Sequence, residues 1–376
     1  MARPGVKNGG TSLDSAALEI YDLPMKKPLL LGLVLGFIGQ VFAQTPPDQI
    51  LLKEYRPKSI FNIPATRIEK AKYPVIDIHA HVYAPNEAAV DAWVKTMDEV
   101  GLEKSIIMTG NVGARFDAVV ARFSKYPDRF DIWCGIDFSG HDQPGFGPGA
   151  LAELERCKKA GAKGIGELSD KGRGLSGATG MHFDDARMDA IIEKCFDLGL
   201  PINVHIGEDQ WMYEPMDQNN DGLMNAYTWR IPKDPEVLGH EAVLQTLENS
   251  LKKHTRGAII ACHFANCCAN LNRLGELLDK YPNLYADMGA RFSEIMPIPR
   301  FMGKFFAKYQ DRLLYGTDNA FHPEMYRTSF RILESVDEHF YPQFFAKYHW
   351  AGHGFGLPDP ILKKIYRDNA LKIIGK

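Results

Sequence analysis

Cysteine is scarce in this sequence. Six are spread over 376 residues (Cys134, Cys157, Cys195, Cys262, Cys267 and Cys268), too few for the disulfide framework that holds small exported domains together. No two of them form a CxxC pair, which argues against a zinc ribbon or a dithiol redox centre, and most read as buried thiols. An excess of one charge is lacking too. The chain carries 44 Lys and Arg against 47 Asp and Glu, a formal charge of -3, and no long basic run, so nucleic acid is not an expected partner. With 45% hydrophobic and 24% charged residues it has the composition of an ordinary globular protein and not of a disordered or fibrous one.

An apolar run long enough to span a bilayer comfortably is also missing. The run Leu29 to Ile38 is too short. It follows Lys26-Lys27 and precedes Val41-Phe42-Ala43 and Gln44, the three-part plan of a secretory signal. No cysteine follows the cleavage pattern, so a lipoprotein anchor is not indicated. Asp14, Glu19 and Asp22 suit neither the basic start of a signal nor a packed domain. The expected organisation is therefore an upstream extension over 1–24, with Met25 as the true start, a signal peptide over 25–43, a lead-in segment over 44–72 and one catalytic domain over 73–376. A periplasmic or secreted protein without a stable membrane anchor follows from this; a buried helix or membrane anchor is the competing reading of the apolar run.

From about residue 73 short β-branched runs alternate with amphipathic stretches. "PVIDIH" precedes a segment in which Val90, Trp93, Met97 and Val100 recur at helical spacing and Gly101 supplies a stop. Seven more pairs follow, beginning at "KSIIMTG", "FDIWCGID", "AKGIGEL", "PINVHIG", "GAIIACH", "NLYADMG" and "RLLYGTD". A helix opening at Asp234-Pro235 is expected after the fifth strand, and "LPDPILKKIYRDNALKII" closes the chain. Eight such units predict an α/β fold, a (β/α)8 TIM barrel. The open doubly wound sheet is the runner-up, but its GxGxxG signal is missing after the first strand, where "HAHVYAP" stands.

In such a barrel chemistry gathers where the strands end. His79 and His81 end strand one, Glu167 strand four, His205 strand five, His263 strand six and Asp318 strand eight. With twelve histidines in the chain, one HxH pair means little alone. The joint pattern is imidazole plus carboxylate from five strand ends, the donor set of a divalent transition metal. Side-chain alternation predicts that Asp77, His79 and His81 face one way.

The motifs "VIDIHAHV", "GIGEL", "INVHIGE", "IIACHFAN" and "LLYGTDNA", with "KYPDRF" and "IYRDNALKII", resemble the amidohydrolase superfamily. The resemblance is particularly to its amidohydrolase-related (amidohydrolase 2) group, which includes aminocarboxymuconate-semialdehyde decarboxylase. The resemblance covers roughly residues 73 to 376. It implies His79, His81, His205 and Asp318 as metal ligands, Asp318 also as proton acceptor, and His263 as a further ligand or as the group that polarises the substrate. Glu167 stands where binuclear members often have a carbamylated lysine; Lys163 lies four residues earlier, so Glu167 is favoured. One or two divalent ions are expected, zinc first, with manganese or another divalent metal as alternatives. Asp77 is expected to orient the ligands from behind, with a purely structural hydrogen bond as the competing reading.

The stretch Ile206 to Lys233 after strand five is long enough to be a lid. Trp211 and Tyr213, with Tyr227 and Trp229, could wall a substrate pocket or pack the lid. "DQNNDG" matches the first half of an EF-hand loop, but position twelve is Thr228, which excludes a complete one. Arg291 is expected to hold a substrate carboxylate, with a surface or helix-capping arginine as the competing reading. The leading reading is a metal-dependent hydrolase of a small ester, lactone or amide. A non-oxidative decarboxylase of an unsaturated or aromatic acid is second, and a non-catalytic metal-binding protein third. A small-molecule substrate is the expected partner, and a homodimer is within what the sequence allows.

Overall fold

The computed structural model describes residues 45–345 and 349–375; the extension read over 1–24 and the signal peptide read over 25–43 lie outside them. Chain contacts divide the protein into Met1–Ile50 and Leu51–Lys376. Of the first unit residues 45–50 are described, with one 3-10 turn at Pro47–Gln49. No helix among the described residues is long and apolar enough to cross a membrane.

The second unit opens with a 3-10 turn, Leu52–Glu54, and an irregular lead-in, after which strands and helices alternate. Strand β1 (Val75–Ala80) leads to helix α1 (Glu87–Val100). Asn86 caps that helix by accepting the N–H of Ala89 at 2.9 Å, and Gly101 ends it at φ 89°, a left-handed position that glycine fills without strain. Next come β2 (Leu102–Met108), α2 (Gly113–Phe123), β3 (Phe130–Trp133), α3 (Pro148–Lys159) and β4 (Ile165–Asp170). A short hairpin, β5 (Gly174–Leu175) and β6 (Ala178–Thr179), precedes α4 (Ala186–Asp197) and β7 (Ile202–Ile206).

The long connection after β7 is not irregular throughout. It holds a 3-10 turn, Gln210–Met212, and helix α5 (Leu223–Trp229). Helix α6 runs over His240–Lys253, five residues later than the Asp234-Pro235 start the sequence suggested. The Asp234 carboxylate instead closes a turn of its own, accepting the N–H of Glu236 at 3.0 Å, and Arg173 holds it there. Then follow β8 (Ile259–Ala261), α7 (Leu271–Lys280), β9 (Leu284–Asp287), α8 (Phe292–Ile295), α9 (Pro299–Tyr309), β10 (Leu313–Leu314) and α10 (Pro323–Glu334). The chain closes on α11 (Asp359–Lys363), a π turn over Lys364–Asp368, and α12 (Asn369–Ile374).

Eight of these strands pair in parallel, as βαβ units require. The fold is α/β with parallel sheets. Regular pairing groups the strands as two sheets, β1-β2-β3 and β10-β9-β8-β7-β4, with β5 and β6 antiparallel at the second sheet's edge, where the sequence suggested a single ring of eight. The ladder breaks at short strands: β3 stops at Trp133 and β10 has two residues. Isolated bonds still link the sheets. At one edge Cys134 pairs with Ile165, and Gly166 N–H donates to the Cys134 carbonyl at 2.9 Å. At the other, Ile78 N–H donates to Tyr315 at 3.0 Å and Asp318 N–H to His79 at 2.8 Å. A Cβ at Gly164 would stand 2.3 Å from the Trp133 ring, so glycine is needed for the close approach at that edge.

Both sheets share one apolar cluster, in which Ile76, Ile78, Ile106, Met108 and Trp133 meet Ile260 and Leu314, with Ala370 of α12. The larger core lies between strands and helices. Trp93 of α1 is fully buried in it, stacked on Phe321 at 4.8 Å and edge-on to Phe130 at 5.4 Å. Trp93→Ala is expected to cost about 3–5 kcal/mol of unfolding free energy, read as a fall in the urea midpoint at constant slope. A loss under about 1 kcal/mol would mean that the site collapses around the void.

Candidate metal centre

Register decides what β1 presents. Pairing with β2 shifts between Asp77 and Ala80, and this irregularity breaks the strict alternation that the sequence reading assumed. Asp77 consequently does not share a face with the histidines. It is buried, accepts the Thr317 N–H at 3.0 Å and hydroxyl at 2.6 Å, and lies 3.5 Å from the Tyr326 hydroxyl. Its only bond to the HxH segment is from the His79 backbone N–H, at 3.2 Å. Asp77 thus pins the backbone beside His79 and beside Asp318, which is the structural hydrogen bonding that forms the second of its two readings.

The ring of His79 is held by Asp287, at the end of β9. The Asp287 Oδ2 to His79 Nδ1 distance is 3.0 Å and both side chains are fully buried. Asp287 also accepts the N–H of His263 at 3.1 Å and of Gly289 at 2.9 Å. Two glycines let the backbone close on this imidazole: a Cβ at Gly289 would meet Nδ1, and one at Gly316 the His79 Cβ, each at 2.9 Å. The sequence reading missed Asp287. Its available signal was an acidic residue ending a strand in "NLYADMG", the same signal that marked Asp318.

His81 and His263 are oriented in the same way. His81 Nδ1 lies 3.1 Å from the Met108 carbonyl, and His263 Nδ1 lies 2.6 Å from the Gly289 carbonyl. A carbonyl can only accept, so each Nδ1 carries a hydrogen and, in the neutral ring, each Nε2 presents a lone pair. Those lone pairs face carboxylates. His81 Nε2 is 3.2 Å from Asp318 and 3.5 Å from Glu167, His263 Nε2 is 3.4 Å from Glu167, and His79 Nε2 is 3.8 Å from Asp318. The His79 Nε2 is buried and makes no hydrogen bond. Acceptors turned toward acceptors repel unless a cation lies between them.

The field of the site has the matching sign. Burial opposes a charge on His79, but Asp287 and Asp318 outweigh it and push the imidazole up to about 10. Burial likewise opposes ionisation of Glu167 and Asp318; a hydrogen bond from His205 and the charges of His205 and His79 hold Glu167 well below the usual carboxylate range, and the charge of His79 does the same for Asp318. Burial and the charge of Arg291 lower His263. A neutral His263 with its Nδ1 hydrogen committed to Gly289 has no N–H to offer a substrate. Of its two expected roles, ligand and polarising group, the geometry fits the ligand.

Two overlapping groups of donor atoms lie within 4.8 Å of one another: His79, His81 and Asp318, and His79, Glu167, Cys262 and His263. His205 is in neither. Its Nδ1 sits 2.7 Å from Glu167, and its Nε2, buried and without a hydrogen bond, lies 3.6 Å from Glu208, so its direct contact is with Glu167. Glu208, one of the residues missed, follows it closely in "INVHIGE". Lys163 is exposed, in keeping with Glu167 as the acidic group at this position.

The backbone is strained where these residues converge. His263, Phe264, Ala265 and Asn266 have φ of 53 to 58°, and Asp318 has φ 48°, a left-handed region that costs L-residues about 1–2 kcal/mol each. Buried bonds hold the turn: Asn266 donates its amide to Ile206 at 3.0 Å and Gly207 at 3.1 Å. Strain of this kind clusters at functional sites.

A cavity of about 330 Å³ opens over the cluster, lined by Glu167, His205, Glu208, His263, Arg291 and Asp318 among others. Its aromatic wall is Trp229, Phe344 and Phe345, not Trp211 and Tyr213. Trp211 packs on Gly222 and Trp350. The Tyr213 hydroxyl accepts the Glu208 N–H at 3.2 Å and its ring lies against His240. Both support the connection after β7 from behind. Arg291 does line the cavity, but it is buried among acids, with Asp209 at 2.8 Å, Glu208 at 3.6 Å and Glu294 at 3.9 Å. Its charge is already balanced there, so it is ill suited to hold a substrate carboxylate.

A family model described as amidohydrolase matches residues 68–376. No curated protein matches the chain. Among solved structures it is similar to an uncharacterised TIM-barrel protein from Bordetella bronchiseptica, at 15% identity and a TM-score of 0.51 over 81% of this chain and 100% of that one. It is also similar to a 2,6-dihydroxybenzoate decarboxylase from Rhizobium, at 16% identity and a TM-score of 0.51 over 81% of this chain and 98% of that one. At these identities the likeness is one of fold.

Proposed function

The chain belongs to the amidohydrolase family, and from that premise we propose that it is a metal-dependent hydrolase of a small neutral carbonyl compound, an ester, lactone or amide. We read its two linked sheets as the staves of one (β/α)8 barrel. The observation that carries the reading is the set of three imidazole Nε2 atoms facing Glu167 and Asp318 at 3.2 to 3.8 Å, an arrangement that a divalent cation among them would make favourable. His79, His81 and His263 would hold the ion together with Asp318 and Glu167. Zinc suits this donor set best; manganese is the alternative. Once bound, such an ion supplies Lewis acidity and lowers the pKa of its water from about 15.7 to about 7.

The chain's own residues do the rest. Asp318 is kept ionised and receives the Tyr83 hydroxyl at 3.1 Å, which fixes the carboxylate as acceptor for the proton of the attacking water. His205 holds Glu167 in place, and Trp229, Phe344 and Phe345 limit the approach of solvent. A neutral substrate is favoured over an acid because, among the described residues, both cations lining the cavity, Lys171 and Arg291, are already paired with carboxylates. That pairing weighs against decarboxylation, where a free cation would receive the substrate's carboxylate.

Turnover of a panel of esters, lactones and amides by the purified protein tests the reading. Chelation is expected to lower the rate by about a hundredfold or more, with recovery on adding zinc or manganese. Release of carbon dioxide from an aromatic or dienoic acid without any hydrolysis would replace hydrolase by decarboxylase. Metal uptake without turnover of any panel member would favour the binding protein. Export to the periplasm or medium is part of the proposal, supported by the motif in residues 25–43, as is a small-molecule partner. Sequencing the N-terminus of exported protein tests export, with a start near Gln44 expected.

A further inference from the structure

We propose that Cys262 is a ligand of the metal centre, so that the site carries one thiolate and selects a borderline-soft divalent ion such as zinc over manganese or magnesium. The inference rests on the metal-centre reading above and goes beyond it, because nothing in the imidazole and carboxylate set requires sulfur. Cys262 directly follows β8 and is fully buried. Its Sγ belongs to the group of atoms from His79, Glu167 and His263 that lie within 4.8 Å of one another. Bonds to zinc are about 2.3 Å from sulfur and 2.0–2.1 Å from nitrogen, so the four atoms need to draw together only modestly around an ion.

A second observation points to the same place. His79 gives one nitrogen to this group, and its Nε2, the nitrogen not bonded to Asp287, is fully buried and makes no hydrogen bond. Its Nδ1 is committed to Asp287, which leaves one lone pair, and one lone pair serves one ion. With one nitrogen left for a metal, His79 serves a single ion, and Cys262 belongs to a donor group that contains His79. Cys262 is also wired to His79 through the protein: Sγ lies 2.5 Å from Asn203 Oδ1, and the Asn203 amide donates to Asp287 Oδ2 at 3.2 Å. Thiol and imidazole are thus positioned by one hydrogen-bonded chain. When the bond to the ion forms, the S–H proton leaves to solvent, the hydrogen bond to Asn203 Oδ1 is given up and the sulfur keeps its electron pair; no redox step is involved. Thiolate is a soft ligand and favours zinc, whereas carboxylate and water suit manganese and magnesium.

The test is cobalt substitution of the full-length protein after removal of its own metal. Wild type is expected to bind one cobalt ion and show a near-ultraviolet sulfur-to-cobalt charge-transfer band; Cys262→Ser is expected to bind cobalt without that band and to hold zinc at least about tenfold more weakly, since even partners behind a ligand are worth 10–100-fold. Stoichiometric cobalt without the band in wild type, or a band that survives in Cys262→Ser, overturns the proposal and leaves the metal centre standing. Failure of wild type to bind cobalt or zinc at all overturns the metal centre itself and the thiolate with it. If the serine variant does not fold, Cys262→Ala is read by the same criteria.

Discussion

Asp318→Asn is expected to lower kcat by about 10³ with little change in KM and no loss of fold. General base catalysis contributes roughly 10²–10⁴, and a group that acts only in the chemical step lowers kcat and kcat/KM together. The choice of asparagine matters. Asp318 has φ 48°, and asparagine is among the few residues that enter the left-handed region readily, so the backbone that places position 318 is kept. The amide can still accept the Tyr83 hydroxyl, which reaches Oδ1 at 3.1 Å, while its proton affinity at neutral pH is negligible. Kinetic constants on the best hydrolysed panel member, with metal content measured on the same sample, check the result. If the variant keeps its ion and more than about a tenth of the wild-type kcat, Asp318 is a ligand only and the proton goes elsewhere.

How far this site could be read from the chain depends on what each contact is made of. The strand ends were legible because polar residues interrupt β-branched runs in "VIDIHAHV", "GIGEL" and "YGTDNA", and the structure does bring His79, His81, Glu167, His263 and Asp318 together. The alternation of elements was legible for the same reason, since period and caps are local; Gly101 and Asp185 end and begin helices as their types suggest. What failed was non-local. The register shift in β1 depends on pairing with β2, so nothing within "VIDIHAHV" could show that Asp77 would turn away. Arg291 looked available because its acidic partners Asp209 and Glu208 stand over 80 positions away and meet it only in the folded chain. Asp287 and Glu208 went unassigned because an acid at a strand end is a weak signal without knowledge of which imidazole faces it. Trp211 and Tyr213 were read from composition, and composition does not say which side of a connection a ring faces.

His79→Ala is expected to remove the ion and also to destabilise the fold by about 3–5 kcal/mol, the cost of leaving a buried charge without its partner. The stranded group is Asp287, fully buried, whose carboxyl burial tends to raise and the His79 charge and hydrogen bond hold low. Measured in chelator, so that ion binding does not enter, the wild-type pair has a definite pH window. His79, pushed up to about 10, stabilises fully below its ordinary value near 6.5, and this contribution is lost as pH rises toward 10. Asp287, held low, stabilises above its ordinary value near 4, and its share is lost as pH falls. Both contributions are therefore complete between about pH 5 and 6.5, and urea unfolding there gives the largest difference between wild type and variant. In the variant the sign for Asp287 reverses. With no imidazole beside it, burial raises the carboxyl above its unfolded value, so the variant is least impaired in acid and loses stability as pH increases. Adding Asp287→Asn to His79→Ala should then recover part of the loss, a coupling of roughly 0.5–3 kcal/mol, because a neutral amide in that space no longer demands a cation. A loss for His79→Ala that does not vary with pH, or that Asp287→Asn only deepens, would show that the imidazole contributes through packing alone and that no electrostatic demand for positive charge is built into the site.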